Sequence, residues 1–141
     1  MVTRQTIYRG GRNAVKVIIN LMKYIIPAIL VLKILEHSGW LLRISDFFAP
    51  YMAYMGLPGE GALVIMMGQV SLYSAIAAMV TLGLTAKQIT IMSTFVSIFH
   101  AFAVETVVVS KAGGNGWLIV ALRFVGAVLT CIIMNLIIPG V

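Results

Sequence analysis

Long apolar runs fill this chain, separated by short clusters of glycine, proline and charge. Residues 62–67 and 126–138 run apolar without strand-like alternation, which points to helices rather than to the alternating strands of a membrane barrel. Near the start, Arg9, Arg12, Lys16, Asn20 and Lys23 recur at helical spacing. At about 100° per residue they fall within an arc of roughly 80°. Val15, Val17, Ile18, Leu21 and Met22 cover the rest of the circumference. Residues 1–23 therefore read as an amphipathic helix with a basic stripe, suited to an anionic membrane surface.

That helix runs into the apolar stretch 24–32, where Pro27 predicts a kink. Nine residues rise only about 14 Å against a hydrocarbon core of about 30 Å. A crossing over about 17–35 works if Lys23 snorkels and Lys33 lies near the far interface, paired with Glu36 on the same face. Residues 37–55 differ: Trp40, Leu41, Ile44, Phe47, Phe48 and Tyr51 make one apolar-aromatic stripe, with Arg43 and Asp46 facing away. Rings mixed with charge favour the water–lipid boundary, and Pro50 is expected to interrupt this interfacial helix.

The tract Gly56-Leu57-Pro58-Gly59-Glu60-Gly61 is a turn. It opens a unit over 56–83 whose apolar part is long enough to span, but whose middle, residues 68–74, is polar for lipid. Two architectures fit: a broken crossing helix or a re-entrant hairpin. Charge does not choose between them, because bending back only exchanges Lys87 with Lys111 across the membrane. Thr85 is an N-cap candidate. Residues 89–109 read as a clean crossing, 111–116 as a glycine-rich loop, and 117–138 as the last crossing, ended by Pro139-Gly140. The expectation is one all-α integral membrane domain over 1–141, with about four membrane helices and an interfacial amphipathic helix.

Composition agrees. The 141 residues are 61% hydrophobic and 10% charged, with a mean hydropathy of +1.06, more apolar than one soluble core of this length can hide. Lipid makes such a chain stable, and in lipid the backbone must close on itself. The net charge of +6 reads as topology, with the basic N-terminus on the cytoplasmic side of the inner (plasma) membrane. No base-contacting surface accompanies it, so nucleic acid is not an expected partner. Cys131 is a lone cysteine in an apolar run, read as a small packed residue. No cleavable leader stands out, since Lys16, Lys23 and Lys33 interrupt the first apolar region.

Polar groups at membrane depth face a bundle interior, a partner or water. Gln69, Ser71 and Ser74 sit where two half-helices joined by unwound backbone would meet a solute; close packing at Gly68, Ser71 and Ser74 is the plainer alternative. Ser93, Ser97 and His100, at spacings of four and three, are expected on one helical face. Glu105 and Arg123 can pair across adjacent antiparallel helices. Gly59 and Glu60 lie in the turn, where a carboxylate also suits a helix N-terminus. Two histidines, one cysteine and four acids make no metal-ligand spacing, phosphate loop or nucleophile elbow, so no enzyme, metal or cofactor is expected.

The tract Gly56-Leu57-Pro58-Gly59-Glu60-Gly61-Ala62, followed by apolar residues and a glycine–serine break, resembles the gate, or nucleoside recognition, domain family. That family includes the spore maturation protein A and B pair and small membrane relatives of the B type. The order of elements, from basic N-terminus to final apolar helix, is similar over nearly the whole chain. Gly68-Gln69 is also similar to a Gly-Gln element of concentrative nucleoside transporters, without the acidic residue that follows it there. The resemblance implies a gate-domain subunit of a transporter or permease-like complex for a small solute, working as a homo-oligomer or with a homologous gate-domain chain. The alternative is a non-transporting structural or assembly subunit. Gly59, Glu60, Gln69, Ser71, Ser74, Ser97, His100 and Glu105 are the expected pathway residues, and membrane lipids the expected surroundings.

Overall fold

A computed structural model describes residues 4–139; the first three residues of the predicted amphipathic segment, and Gly140 and Val141 after the last predicted span, lie outside the described residues. Seven helices follow in order: α1 Arg4–His37, α2 Trp40–Ala53, α3 Gly61–Val70, α4 Leu72–Thr81, α5 Ala86–Ile98, α6 Phe102–Lys111 and α7 Gly116–Ile137. Three stretches among the described residues are long and apolar enough to cross a membrane: 5–37, 86–111 and 116–137.

The amphipathic segment and the first crossing are one helix of 34 residues that continues through Pro27. At 1.5 Å per residue it is about 51 Å long, well beyond a hydrocarbon core of about 30 Å. Its first part, residues 5–20, is exposed throughout, whereas Leu32 is buried. Gly39, at φ 74°, turns the chain into α2. Pro50 does not interrupt that helix, which runs on to Ala53. A proline near a helix end costs one hydrogen bond and leaves little helix beyond it to disrupt.

The question over 56–83 resolves to a hairpin. Helices α3 and α4 are ten residues each, joined through Ser71 alone, and they pack on each other. Glu60, before α3, and Thr81 and Leu82, at the end of α4, line one cavity of about 180 Å³ with Leu32, Glu36 and Leu41. The chain therefore enters and leaves at the same end. Ten residues rise about 15 Å, half a bilayer core, so a hairpin based at one interface would bring its tip at Ser71 to mid-depth. Small residues make the packing close: a Cβ on Gly68 would lie 3.3 Å from Val96 Cγ1 and 3.5 Å from Ala75 Cβ.

Thr85 and Gln88 form a capping box that starts α5. From there α5 and α6 run antiparallel to α7 along its whole length. Lys87 Nζ donates to the Asn135 carbonyl at 3.0 Å, and Cys131 Sγ to the Ile91 carbonyl at 3.5 Å. At the far end Gly116 lies against Thr106 and Ser110. The core gathers where hairpin, α5 and α7 meet, around Val64, Ala75, Ile91, Met92, Phe95, Val96, Ala127 and Cys131.

The expected clean crossing over 89–109 is not one helix. It breaks at Phe99, His100 and Ala101, near its middle, with Ala101 in the left-handed region at φ 46°. A non-glycine residue there is costly unless its surroundings hold it. The holding groups come from elsewhere in the fold.

Candidate functional site: two interrupted helices crossing at mid-depth

The glycine-rich tract is a junction. Gly56, at φ 69°, abuts Asn135 of α7, whose Nδ2 donates to the Tyr54 carbonyl at 3.5 Å. Gly59 is buried so tightly on α2 that a Cβ would overlap the Ser45 carbonyl oxygen. A Cβ on Gly61 would lie 2.8 Å from Met92 Cε of α5. Three glycines thus seat the hairpin base on three different helices, and Glu60, half-buried, lines the cavity beside them. Gly59 and Glu60 are separated from the hairpin tip by the length of α3, about 15 Å.

At the other end, the hairpin tip meets the break between α5 and α6. An interrupted helix leaves carbonyls and amides without their usual partners, and in a membrane each must find another. The Val96 carbonyl, which an unbroken helix would pair with the amide of residue 100, instead accepts from His100 Nδ1 at 2.9 Å. The Ile98 carbonyl accepts from Arg123 Nε of α7 at 2.7 Å. The Phe99 carbonyl accepts from Gln69 Nε2 at 3.4 Å, and the Phe102 amide donates to Gln69 Oε1 at 3.4 Å. The Ala101 amide donates to the Gly68 carbonyl at 3.3 Å. Gln69 Nε2 also donates to the Ile65 carbonyl of its own helix at 3.1 Å. One glutamine of α3 and one arginine of α7 therefore stitch the break from two sides.

Arg123 does more than supply a donor. Its Nη1 pairs with Glu105 Oε2, and the two side chains are 28% and 33% exposed. Glu105 stands in the first turn of α6, where the helix dipole favours an anion. Arg123 stands against the last carbonyl of α5, where the dipole favours a cation. The pair neutralises both ends of the break. Around it, Phe99 packs on Phe124 at 5.3 Å and on Phe95 and Phe102 at 6.1 Å between ring centroids.

The remaining candidates divide. Ser71 caps α4 by accepting the Tyr73 amide at 3.2 Å. Ser74 is buried one turn down α4. Ser97 is exposed and donates back to the Ser93 carbonyl at 2.7 Å, while Ser93 Oγ reaches Met79 Sδ at 3.7 Å. The expected single face of Ser93, Ser97 and His100 does not form, because the break carries His100 off the helix. The structure thus gathers Gln69, Ser71, His100, Glu105 and Arg123 about the crossing, leaves Gly59 and Glu60 at the hairpin base, and puts Ser97 on the outside.

Sequence reading missed the backbone groups of Phe99, Ala101 and Phe102, which carry no side-chain signal. It also missed Ser45 and Asn135; an asparagine inside a strongly apolar span was the available signal for the second. No group of three or more His, Cys, Asp or Glu among the described residues is placed to hold a metal ion. The arrangement holds two helix interruptions against each other, with backbone groups that have exchanged helical partners for side chains.

Comparison with known proteins bears on what such a crossing is. The chain is 34% identical over 122 residues to an uncharacterized membrane protein, YvoD, of Bacillus subtilis (strain 168), covering 84% of this chain and 38% of that protein. It thus spans less than half the length of that relative. No solved structure matches it. The family profile for gate domains, described as nucleoside recognition, matches residues 18–115, from the first crossing through the hairpin and both halves of the broken helix. This multi-pass membrane chain belongs to the gate, or nucleoside recognition, domain family.

Proposed function

We propose that this chain is the gate-domain subunit of a membrane transporter or permease-like complex for a small solute, not an enzyme. One observation carries the reading: two helix interruptions, one in a hairpin and one in a crossing helix, meet at mid-depth and bond to each other through Gly68, Gln69, Ala101 and Phe102. Unwound backbone at membrane depth is tolerated where it is covered by protein or lines a water-filled path, and broken helices at the midplane are a recurrent way to build solute sites. The Glu105–Arg123 pair, about a third exposed, also needs such surroundings, since a charge at the bilayer centre costs a few kcal/mol against lipid. A second gate-type domain, identical or homologous, is the proposed cover. The longer relative has room for further domains in one chain.

Orientation follows from charge. Arg9, Arg12, Lys16 and Lys23 lie in the earlier part of α1 and Lys111 at the end of α6, whereas Lys33, Arg43 and Lys87 lie toward the hairpin base; in this reading the start of α1 is on the cytoplasmic side of the inner (plasma) membrane and residue 139 on the opposite side. A second reading, a structural or assembly subunit, is favoured by the way Gln69 and Arg123 spend their hydrogen bonds on the protein itself. The experiment is reconstitution in liposomes, alone and with the product of a neighbouring gene, with a panel of small solutes screened for uptake. Uptake above protein-free liposomes supports the gate reading. Retained assembly with no uptake of any solute, alone or paired, supports the structural one.

A further inference from the structure

At the crossing, nearly every polar side chain is already committed. Gln69 bonds through both ends of its amide, Arg123 bonds a carbonyl and Glu105, and Ser71 caps α4. His100 is the exception. It is half-buried, sits in the break itself, and uses only Nδ1, on the Val96 carbonyl at 2.9 Å. A carbonyl oxygen only accepts, so Nδ1 carries the hydrogen and Nε2 holds a lone pair. Among the described residues Nε2 has no hydrogen-bond partner.

We propose that His100 Nε2 is a proton-binding position of the crossing, deepening the transport reading above by giving the gate a coupling ion. A proton from water adds to the Nε2 lone pair to form imidazolium, and the reverse step returns it to water. Nδ1 keeps its hydrogen in both states, so the Val96 bond survives protonation and the ring stays in place. Imidazole is the side chain suited to exchanging a proton near neutrality, and ionisable groups at membrane depth recur in proton relays.

The elements meeting here bring few other titratable or charged groups. They are Glu105 on α6 and Arg123 on α7, closed on each other, and Tyr73 on α4; α3 brings the neutral Gln69, while Lys87 of α5, Lys111 of α6 and Cys131 of α7, bonded to the Ile91 carbonyl, lie farther along their helices. A new positive charge at His100, two residues from the Ile98 carbonyl that Arg123 holds, repels the Arg123 guanidinium and weakens that bond. Protonation loosens the stitching between α5 and α6, the change a gate requires.

The test uses the full chain with ¹⁵N-labelled histidine in nanodiscs of phosphatidylcholine and phosphatidylglycerol, with His37→Gln leaving His100 as the one histidine. At about pH 9 the ring nitrogens should report a protonated Nδ1 and a bare Nε2. As the pH is lowered, Nε2 should take up the proton while Nδ1 keeps its own. Protection of the amides at residues 98–102, taken relative to intrinsic exchange at each pH, should fall several-fold as Nε2 gains its proton, and His100→Gln should remove that loss of protection. A protonated Nε2 at high pH, or an Nε2 still bare at pH 5, overturns the proposal. Because no solute is involved, titration without any uptake would sink the transport reading and leave the proton site standing. Uptake beside an unresponsive His100 would do the reverse.

Discussion

Arg123 of α7 and Glu105 of α6 form an ion pair that bridges the helix break: the arginine bonds the last carbonyl of α5 and the glutamate stands in the first turn of α6. The two partners are therefore unequal. Removing Arg123 strips both the charge pair and the donor to Ile98, whereas Glu105→Gln keeps the donor in place. Arg123→Met should destabilise the folded chain by about 2–3 kcal/mol, between the values for surface and buried pairs, and Glu105→Gln by about half that. Reversible unfolding in mixed micelles measures both. The charge swap Glu105→Arg with Arg123→Glu should not restore full stability, because a glutamate at 123 cannot donate to the Ile98 carbonyl.

Gln69 should behave as a stitch. Gln69→Leu loses two bonds between α3 and the break, worth about 0.6 kcal/mol each in a typical membrane protein, for a total of about 1–2 kcal/mol. Hydrogen exchange at the Phe102 amide should rise in parallel. An unchanged Phe102 exchange rate would mean that this bond does not hold the break in the membrane.

The glycine tract gives a paired steric test. Gly59→Ala pushes a methyl into the Ser45 carbonyl, and backbone cannot yield as a flexible side chain does. A cost of about 3 kcal/mol or failure to fold is expected, as for strong overpacking. Gly126→Ala, with nothing within 4 Å of the new methyl, should be neutral or slightly stabilising through helix propensity. Expression and thermal unfolding of the two variants in one detergent make the comparison.

Topology can be read with single cysteines in Cys131→Ser. Ser38→Cys and Ala86→Cys flank the hairpin and should label from the same face of the membrane, with Lys111→Cys labelling from the other. A crossing over 62–82 would put Ser38 and Ala86 on opposite faces, so mutual exclusion of those two labels would rule out the hairpin.

Much of this fold was legible in the chain. Lipid as solvent, the apolar runs, the basic amphipathic start, the Thr85 cap and the Lys33–Glu36 pair, at 2.7 Å, follow from composition and short-range periodicity. Both are local properties, set by side chains within a few residues of each other. The polar stretch at 68–74 announced an interruption, because glycine, glutamine and serines weaken a helix in place. The pairing of Glu105 with Arg123 was visible too, since neither charge is tolerable alone in lipid.

Only the tertiary structure decided the rest. Whether residues 62–82 cross or return could not be settled by charge, because both paths leave the same balance of basic residues on the two faces. The break at Phe99, His100 and Ala101 has no glycine or proline to announce it, and its apolar neighbours read as helix. It exists because Gly68, Gln69 and Arg123, remote in sequence, offer partners to the backbone groups that the helix gives up. A helix continues until something outside it competes successfully for its hydrogen bonds, and that competitor is placed by the fold.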